Sequence, residues 1–368
     1  MGYPFLSAFI CVHLRLIPMS DLLFMREALV LARRPRVPPY PNPWVGCVIV
    51  KNSRVVGRGY HRGPGTDHAE VMALKRAGKR ARGATMYVTL EPCCHFGRTP
   101  PCTDAIIAAG IREVVYAIPD PNPEVSGRGA KILRRAGIKV TSGVCAAEAE
   151  ITNEVYLKYR RTGLPFVSIK AGASLDGKTT TRLGESKWIT DETARREGLK
   201  LRVQHQAILA GINTILKDDP HLGPRTPGVP ENWRIVLDSR LRTPVDSQVV
   251  RSGKCIIATT KRTGKSVLGA RVWTFPGKRV PLRRLLKKLA SEGIISILVE
   301  GGSEVLGAFI DARLADRIYW FISPMIIGAQ AARSAVGGRG AGKLSEALRL
   351  RDAHAERAGD GWLITARL

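Results

Sequence analysis

Three metal-ligating side chains close together, His68, Cys93 and Cys102, with Glu70 two positions after the histidine, constrain this chain more than any other feature. One imidazole and two thiolates hold zinc tetrahedrally with a fourth position open, so three turns of the backbone must converge on one point. The intervening segments suit that demand. Residues 69–81 place apolar Val71, Met72 and Leu74 among basic residues and read as a helix beginning at His68, whereas residues 84–90 read as a strand. Both halves of the ligand set then fall at strand-to-helix turns, where unpaired amide N–H groups and the positive end of the helix dipole favour thiolates.

Three ligands, an open position and a carboxylate that is not a ligand are what hydrolytic deamination of a pyrimidine-like ring requires. The metal lowers the pKa of water toward neutrality, and Glu70 is placed to take the proton and return it to the departing amine. Zinc deaminases carry this as H-x-E followed by P-C-x-x-C. Here the second half is stretched to Pro92-Cys93-Cys94-His95-Phe96-Gly97-Arg98-Thr99-Pro100-Pro101-Cys102. Cys94 or His95 could supply a fourth ligand, which would make the site structural instead.

Several further stretches accompany the motif: Pro41-Asn42-Pro43-Trp44-Val45-Gly46-Cys47, Gly59-Tyr60-His61, Thr89-Leu90-Glu91-Pro92-Cys93 and Asp120-Pro121-Asn122-Pro123. With them, the segment resembles the N-terminal half of the bifunctional riboflavin-biosynthesis deaminase-reductases. The resemblance implies a cytidine-deaminase-like three-layer domain acting on a phosphoribosylated diaminopyrimidine. It also implies that Asn42, His61, Arg98, Asp120 and Asn122 contact substrate, with cationic Arg98 suited to the phosphate.

At 368 residues, 44% hydrophobic and 24% charged, the chain has the composition of a globular protein with room for two cores. Its seven cysteines are odd in number and scattered, which argues against a disulfide framework and for the cytoplasm. The net charge of +27 could serve nucleic acid or phosphorylated small molecules. Lys and Arg are nevertheless spread along the chain, with no aromatic-interleaved basic strip, so nucleic acid is not the expected partner. Residues 1–18 lack a basic n-region, a cleavage site and the roughly twenty apolar residues of a membrane span, so no membrane association is expected. They read as a disordered upstream extension, with Met19 as the candidate natural start.

Strand and helix alternate onward to Thr162-Gly163-Leu164-Pro165, a punctuated junction that divides residues 19–162 from 163–368. The second part has strands near 165–170, 207–210, 234–238, 255–258 and 295–299, an α/β pattern implying a largely parallel sheet. No G-x-G-x-x-G follows a strand. Val299-Glu300-Gly301-Gly302-Ser303-Glu304-Val305-Leu306 instead runs from strand through glycines into a helix, a turn that suits an anion, although a tight strand-to-helix turn needs the same residues.

Residues 169–177, Gly184-Glu185-Ser186-Lys187-Trp188, Asn213-Thr214-Ile215-Leu216-Lys217-Asp218-Asp219-Pro220-His221-Leu222 and Val299-Glu300-Gly301-Gly302 resemble the reductase half of the same family. That implies a dihydrofolate-reductase-like α/β domain using NADPH and a tendency to form homo-oligomers through this half. By the same resemblance Gly172, Trp188, Thr214, Asp218, Ser239, Gly302, Ser303, Glu304, Val305, Leu306, Gly307 and Ala308 line the dinucleotide site. Ser186, Arg202, Leu222, Arg225 and Glu300 hold substrate, while Lys170, Asp218 and Glu300 are the polar groups for the ribose chemistry. Arg202 and Arg225 make a natural pair for a phosphate dianion. Two other classes fit parts of the pattern: a tRNA deaminase, which needs no second α/β domain, and a zinc-stabilised binding or regulatory protein, which does not need Glu70.

Overall fold

The structure is a computed structural model and describes residues 18–97, 99–262, 267 and 269–368; the extension before Pro18 and the candidate phosphate contact Arg98 lie outside the described residues. Two compact units result. The first comprises residues up to 34 with 44–152, and the second comprises 35–43 with 153–368.

The first unit is built on five strands, β1 (Gly46–Lys51), β2 (Arg54–Tyr60), β3 (Thr85–Leu90), β4 (Glu113–Ile118) and β5 (Lys139–Ser142), in the order β2-β1-β3-β4-β5. Its helices are α1 (Met19–Ala32), α2 (Ala69–Ala77), α3 (Cys102–Ala108), α4 (Arg128–Arg135) and α5 (Ala146–Thr152). The first two strand pairings, β1 with β2 and β1 with β3, are antiparallel, and β3-β4-β5 are parallel. Two glycines show how the layers form. A Cβ on Gly46 would stand 1.9 Å from the Ala28 carbonyl of α1, and one on Gly59 would stand 2.0 Å from the Ala69 carbonyl of α2. Gly59 pairs with Cys47, the neighbour of Gly46, so the two glycines face opposite sides of the sheet. The helices α1 and α2 therefore cover opposite faces, giving three layers with Val48, Ile49, Met86, Val88 and Val114 fully buried between them. Close approach at Gly59 sets the first turn of α2, and with it Glu70, flush on the sheet.

The helical expectation over 69–81 is met as α2 followed by a 3-10 turn, Gly78–Ala81. An expected single helix over 146–161 is two, α5 and α6 (Glu154–Thr162), interrupted at Asn153, whose φ/ψ of −109°/13° breaks the ladder. The helix α6 lies in the second unit.

Nine strands form the second sheet: β6 (Phe166–Ser174), β7 (Ala207–Gly211), β8 (Trp233–Leu237), β9 (Cys255–Thr259), β10 (Ala270–Thr274), β11 (Ser296–Val299), β12 (Arg317–Ser323), β13 (Arg351–Ala358) and β14 (Gly361–Arg367). Their order is β10-β9-β8-β7-β11-β6-β12-β14-β13, parallel from β10 through β12 and antiparallel at β12–β14 and β13–β14. The remaining helices are α7 (Glu192–Val203), α8 (Ile212–Asp218), α9 (Gln248–Arg251), α10 (Leu282–Ser291) and α11 (Ser303–Asp311). Its two larger apolar clusters lie one around Ile169, Leu209, Leu285 and Phe309, the other around Ile208, Val236, Val249 and Phe321. Residues adjacent on one strand, Ile208 and Leu209, thus feed different clusters, as expected of a sheet covered on both faces. The late strand β11 inserts between β6 and β7, so the chain's direction of travel across the sheet reverses there. In open parallel sheets, ligands bind beyond the carboxyl ends of the strands flanking such a point.

The glycine-rich stretch 337–342 has no helix or strand. No helix among the described residues is long and apolar enough to cross a membrane.

Candidate active sites

The zinc-ligand positions converge in the first unit. His68 caps α2, Cys102 opens α3, and Cys93 lies in the loop after β3. The histidine Nδ1 is 3.1 Å from Cys102 Sγ and 3.4 Å from Cys93 Sγ, and the three donor atoms lie within 4.8 Å of one another. The other ring nitrogen, Nε2, is 3.2 Å from Thr99 Oγ1, a partner that orients the ring with Nδ1 facing the two sulfurs. No fourth protein donor joins the trio among the described residues. Cys94 turns its Sγ to the Glu124 carbonyl at 3.4 Å, and His95 Nε2 is 3.8 Å from the Glu124 carboxylate. The donor set is thus three, soft and borderline in character, as an open zinc site requires.

Hydrogen bonding from Cys102, and then from His68, pulls the Cys93 thiol down to about 4 despite its burial. Glu70 is 4% exposed in the first turn of α2, and burial first, then the Cys93 charge, raises its carboxyl above the ordinary range. A general acid/base working near neutrality benefits from that direction of shift. His61 meets the His68 ring edge-on at 5.3 Å between centroids, and burial holds its pKa down.

Asp120 and Asn122 sit buried in the turn after β4, where Asp120 Oδ1 accepts from the Asn122 N–H at 2.9 Å. Asn42 closes a turn onto the Pro39 carbonyl, within the 35–43 stretch of the second unit.

Thr99 and Glu91 were not singled out as site residues from sequence. Glu91, 2% exposed, accepts from the backbone N–H of Gly127 at 3.0 Å and of Ala130 at 3.1 Å, tying the start of the Pro92-Cys93 loop to the N-terminus of α4. The available signal was a carboxylate at the end of an apolar strand, directly before Pro-Cys.

In the second unit the parallel register Val299↔Ile169 brings the next residues, Glu300 and Lys170, to neighbouring positions at the point where chain direction reverses. Lys170, Gly172, Glu300, Gly302, Ser303 and Leu306 line one cleft of about 180 Å³. Arg202 on α7 grips Glu300 with two hydrogen bonds, Nε to Oε1 at 2.7 Å and Nη2 to Oε2 at 2.9 Å. Burial alone would raise the Glu300 carboxyl, but Arg202, helped by Lys170, holds it below the usual range. Beneath them His205 is closed in, its Nδ1 2.7 Å from the Leu201 carbonyl and its Nε2 2.8 Å from Ser168 Oγ. Burial lowers its pKa to about 4.

Within the run 302–308, Leu306 belongs to the core, and a Cβ on Gly307 would stand 2.1 Å from the Gly337 carbonyl. Ser303 and Glu304, at the start of α11, remain accessible. Val305 packs against the core, and Ala308 is half-buried.

Trp188 and Asp218 do not line the Lys170 cleft. Trp188 stacks under the Arg195 guanidinium, 4.4 Å from its ring centroid, at the edge of a second cleft of about 460 Å³, and Asp218 pairs with Lys187 at 3.3 Å. Ser186 Oγ lies 3.4 Å from Lys217 Nζ, Thr214 is half-buried on α8, and Ser239 follows β8 with its carbonyl accepting from Thr260 Oγ1 at 2.9 Å. Leu222 is buried and Arg225 exposed on the loop before β8.

Comparison with known proteins agrees with this division. Residues 18–118 match the family model for the cytidine and deoxycytidylate deaminase zinc-binding region, and residues 165–364 match the RibD C-terminal domain. The chain is 44% identical to the riboflavin biosynthesis protein RibD of Escherichia coli, covering 85% of this chain and 90% of that protein. It is 43% identical to RibD of Aquifex aeolicus, with 94% and 97% covered. Among solved structures, Acinetobacter baumannii RibD superimposes with a TM-score of 0.88 at 36% identity, covering 95% of this chain and 98% of that one. The deaminase/reductase of Thermotoga maritima gives 0.86 at 34% identity, with the same coverage. A zinc-binding deaminase unit and an NADPH-using reductase unit on one polypeptide, matched over most of the chain at this identity, establish that the chain belongs to the RibD family of bifunctional riboflavin-biosynthesis enzymes.

Proposed function

We propose that the first unit deaminates 2,5-diamino-6-(5-phosphoribosylamino)pyrimidin-4-one and that the second reduces the resulting 5-amino-6-(5-phosphoribosylamino)uracil at its ribosyl group. The observation that carries the first step is the trio of donors with buried Glu70 beside them and no fourth protein ligand among the described residues. His68, Cys93 and Cys102 would hold zinc, which when bound would supply Lewis acidity and lower the pKa of water to about 7. Glu70 is the group placed to move a proton from water to the amine that leaves as ammonia, and His61, Asp120 and Asn122 belong to the substrate set beside it. Asn42 and Arg98 belong to the same substrate set on the strength of the resemblance alone.

For the second step the support is the Lys170–Glu300–Arg202 group at the reversal point of the sheet. Hydride to C1′ of the opened ribose is the chemistry that NADPH would supply when bound. Lys170 and Glu300 are the groups placed to move protons there, and Asp218 is the further candidate. Arg202 and Arg225 oppose the phosphate, with Ser186 and Leu222 beside them. The dinucleotide is held by Gly172, Trp188, Thr214, Ser239 and the start of α11.

Two coarser features complete the reading. The six described cysteines are all free, which suits the cytoplasm, and the exposed edge strand β13 supports association of copies through the reductase unit.

NADPH oxidation on adding the diaminopyrimidine to the intact protein and to Glu70→Ala tests the assignment. Oxidation lost in the variant and regained when the deaminated intermediate is supplied is the expected result. No oxidation with either compound would remove the reductase reading.

A further inference from the structure

Arg234 is 0% exposed, the largest side chain buried so completely among the described residues, and no step described above uses it. It stands on β8 with its guanidinium turned toward the loop that precedes that strand. Nε donates to the His221 carbonyl at 3.2 Å, Nη1 to the Asn232 carbonyl at 2.8 Å, and Nη2 to the Glu231 carboxylate. The loop closes tightly over it. A Cβ on Gly223 would stand 2.5 Å from Arg234 Nη2 and 2.4 Å from the His221 ring, and the Gly223 N–H donates to His221 Nδ1 at 3.1 Å. From the other side Arg202 Nη1 donates to the Gly223 carbonyl at 3.1 Å, and Asn232 Nδ2 donates to the Arg202 carbonyl at 2.9 Å. Two arginines thus hold the His221 and Gly223 carbonyls of one loop, and in that loop Leu222 and Arg225 have φ near +51°, a conformation that non-glycine residues keep only when their surroundings impose it. A buried cation is costly unless paired and fully hydrogen-bonded, so an apolar side chain would serve a core position at β8 better.

We propose that Arg234 is a positioning residue for the reductase substrate: from beneath, it fixes residues 221–225 so that Leu222 and Arg225 meet the phosphoribosyl group in register with Arg202. This rests on the reading above, in which that loop holds substrate. It adds that the loop's shape is set by a residue that never touches the ligand.

The test is steady-state reduction of 5-amino-6-(5-phosphoribosylamino)uracil by the full chain carrying Arg234→Met, Arg234→Lys or Gly223→Ala, with Arg225→Ala as reference. Arg234→Met should raise the substrate KM about tenfold, matching the ~1.4 kcal/mol per decade of a lost positioning contact, while the KM for NADPH stays within twofold. Arg234→Lys should recover part of the loss. Gly223→Ala, which puts a methyl where the guanidinium lies, should reproduce the effect if Arg234→Met does not fold. An equal rise in both KM values, or an unchanged substrate KM in the Arg234 and Gly223 variants while Arg225→Ala raises it, would overturn the positioning role alone. An unchanged substrate KM in Arg225→Ala as well would overturn the underlying assignment of the loop.

Discussion

The two sites are assembled in opposite ways. In the deaminase unit the proposed metal ligands and acid/base lie within positions 68–102, on two helix starts and the loop joining them to one strand. In the reductase unit Lys170 and Glu300 come from distant parts of the chain and meet only because β11 inserts beside β6, while Arg202 reaches them from a helix between the two in sequence. Backbone geometry and metal chemistry hold the first site, whereas buried charge holds the second. A site of the first kind should fail by losing its metal, and one of the second kind by losing its fold.

The largest contrast should come from chelation. Removing zinc is expected to abolish ammonia release while reduction of the deaminated intermediate persists; loss of both activities together would break the comparison. Next, Arg202→Met strands the Glu300 carboxylate, and breaking a buried pair from one side costs roughly 3–5 kcal/mol. Urea unfolding of the reductase unit should show a loss of that size, and one under about 1 kcal/mol would mean that the pair is not the support described here.

His205 extends the contrast to pH. Its folded pKa of about 4 lies below the ordinary 6.5, so between those values the unfolded chain binds a proton that the folded chain refuses. Stability conferred by neutral His205 is therefore complete above the unfolded pKa and declines as pH falls from 6.5 toward 4, by about 3 kcal/mol in total. Denaturation midpoints across that range should show the slope, and His205→Asn should flatten it. The smallest effect belongs to Glu91. A glutamine there has one acceptor oxygen for N–H groups that now share two, so Glu91→Gln should cost about 1–3 kcal/mol and weaken zinc binding roughly tenfold or more. Competition against a colorimetric chelator measures this, and unaltered zinc affinity would confine Glu91 to a packing role.

How much of this was legible in sequence differs between the units for a physical reason. Zinc dictates ligand type and approximate spacing, so His68, Cys93 and Cys102 announce themselves, and the apolar runs around them already specify the strand and helices that bring them together. Spacing alone admits Cys94 and His95 as ligands; in the structure the Cys94 Sγ turns to the Glu124 carbonyl instead of toward the trio. Thr99 and Glu91 carry no distinctive signal in sequence, because a hydroxyl or carboxylate near a ligand is common in any loop and only the bonds each makes distinguish it. The break at Asn153 was equally hidden, since the amphipathic pattern runs through both helices without interruption.

The sequence by itself determined the zinc chemistry, the alternation of strands and helices in both halves, and the likeness that names the family, because these depend on residue type and short-range order. Tertiary structure alone decided that β11 lies between β6 and β7, that Arg202 pairs with Glu300, and that Arg234 lies beneath the 221–225 loop. Those facts follow from strand order and burial, and a buried arginine looks the same in a sequence as a solvated one.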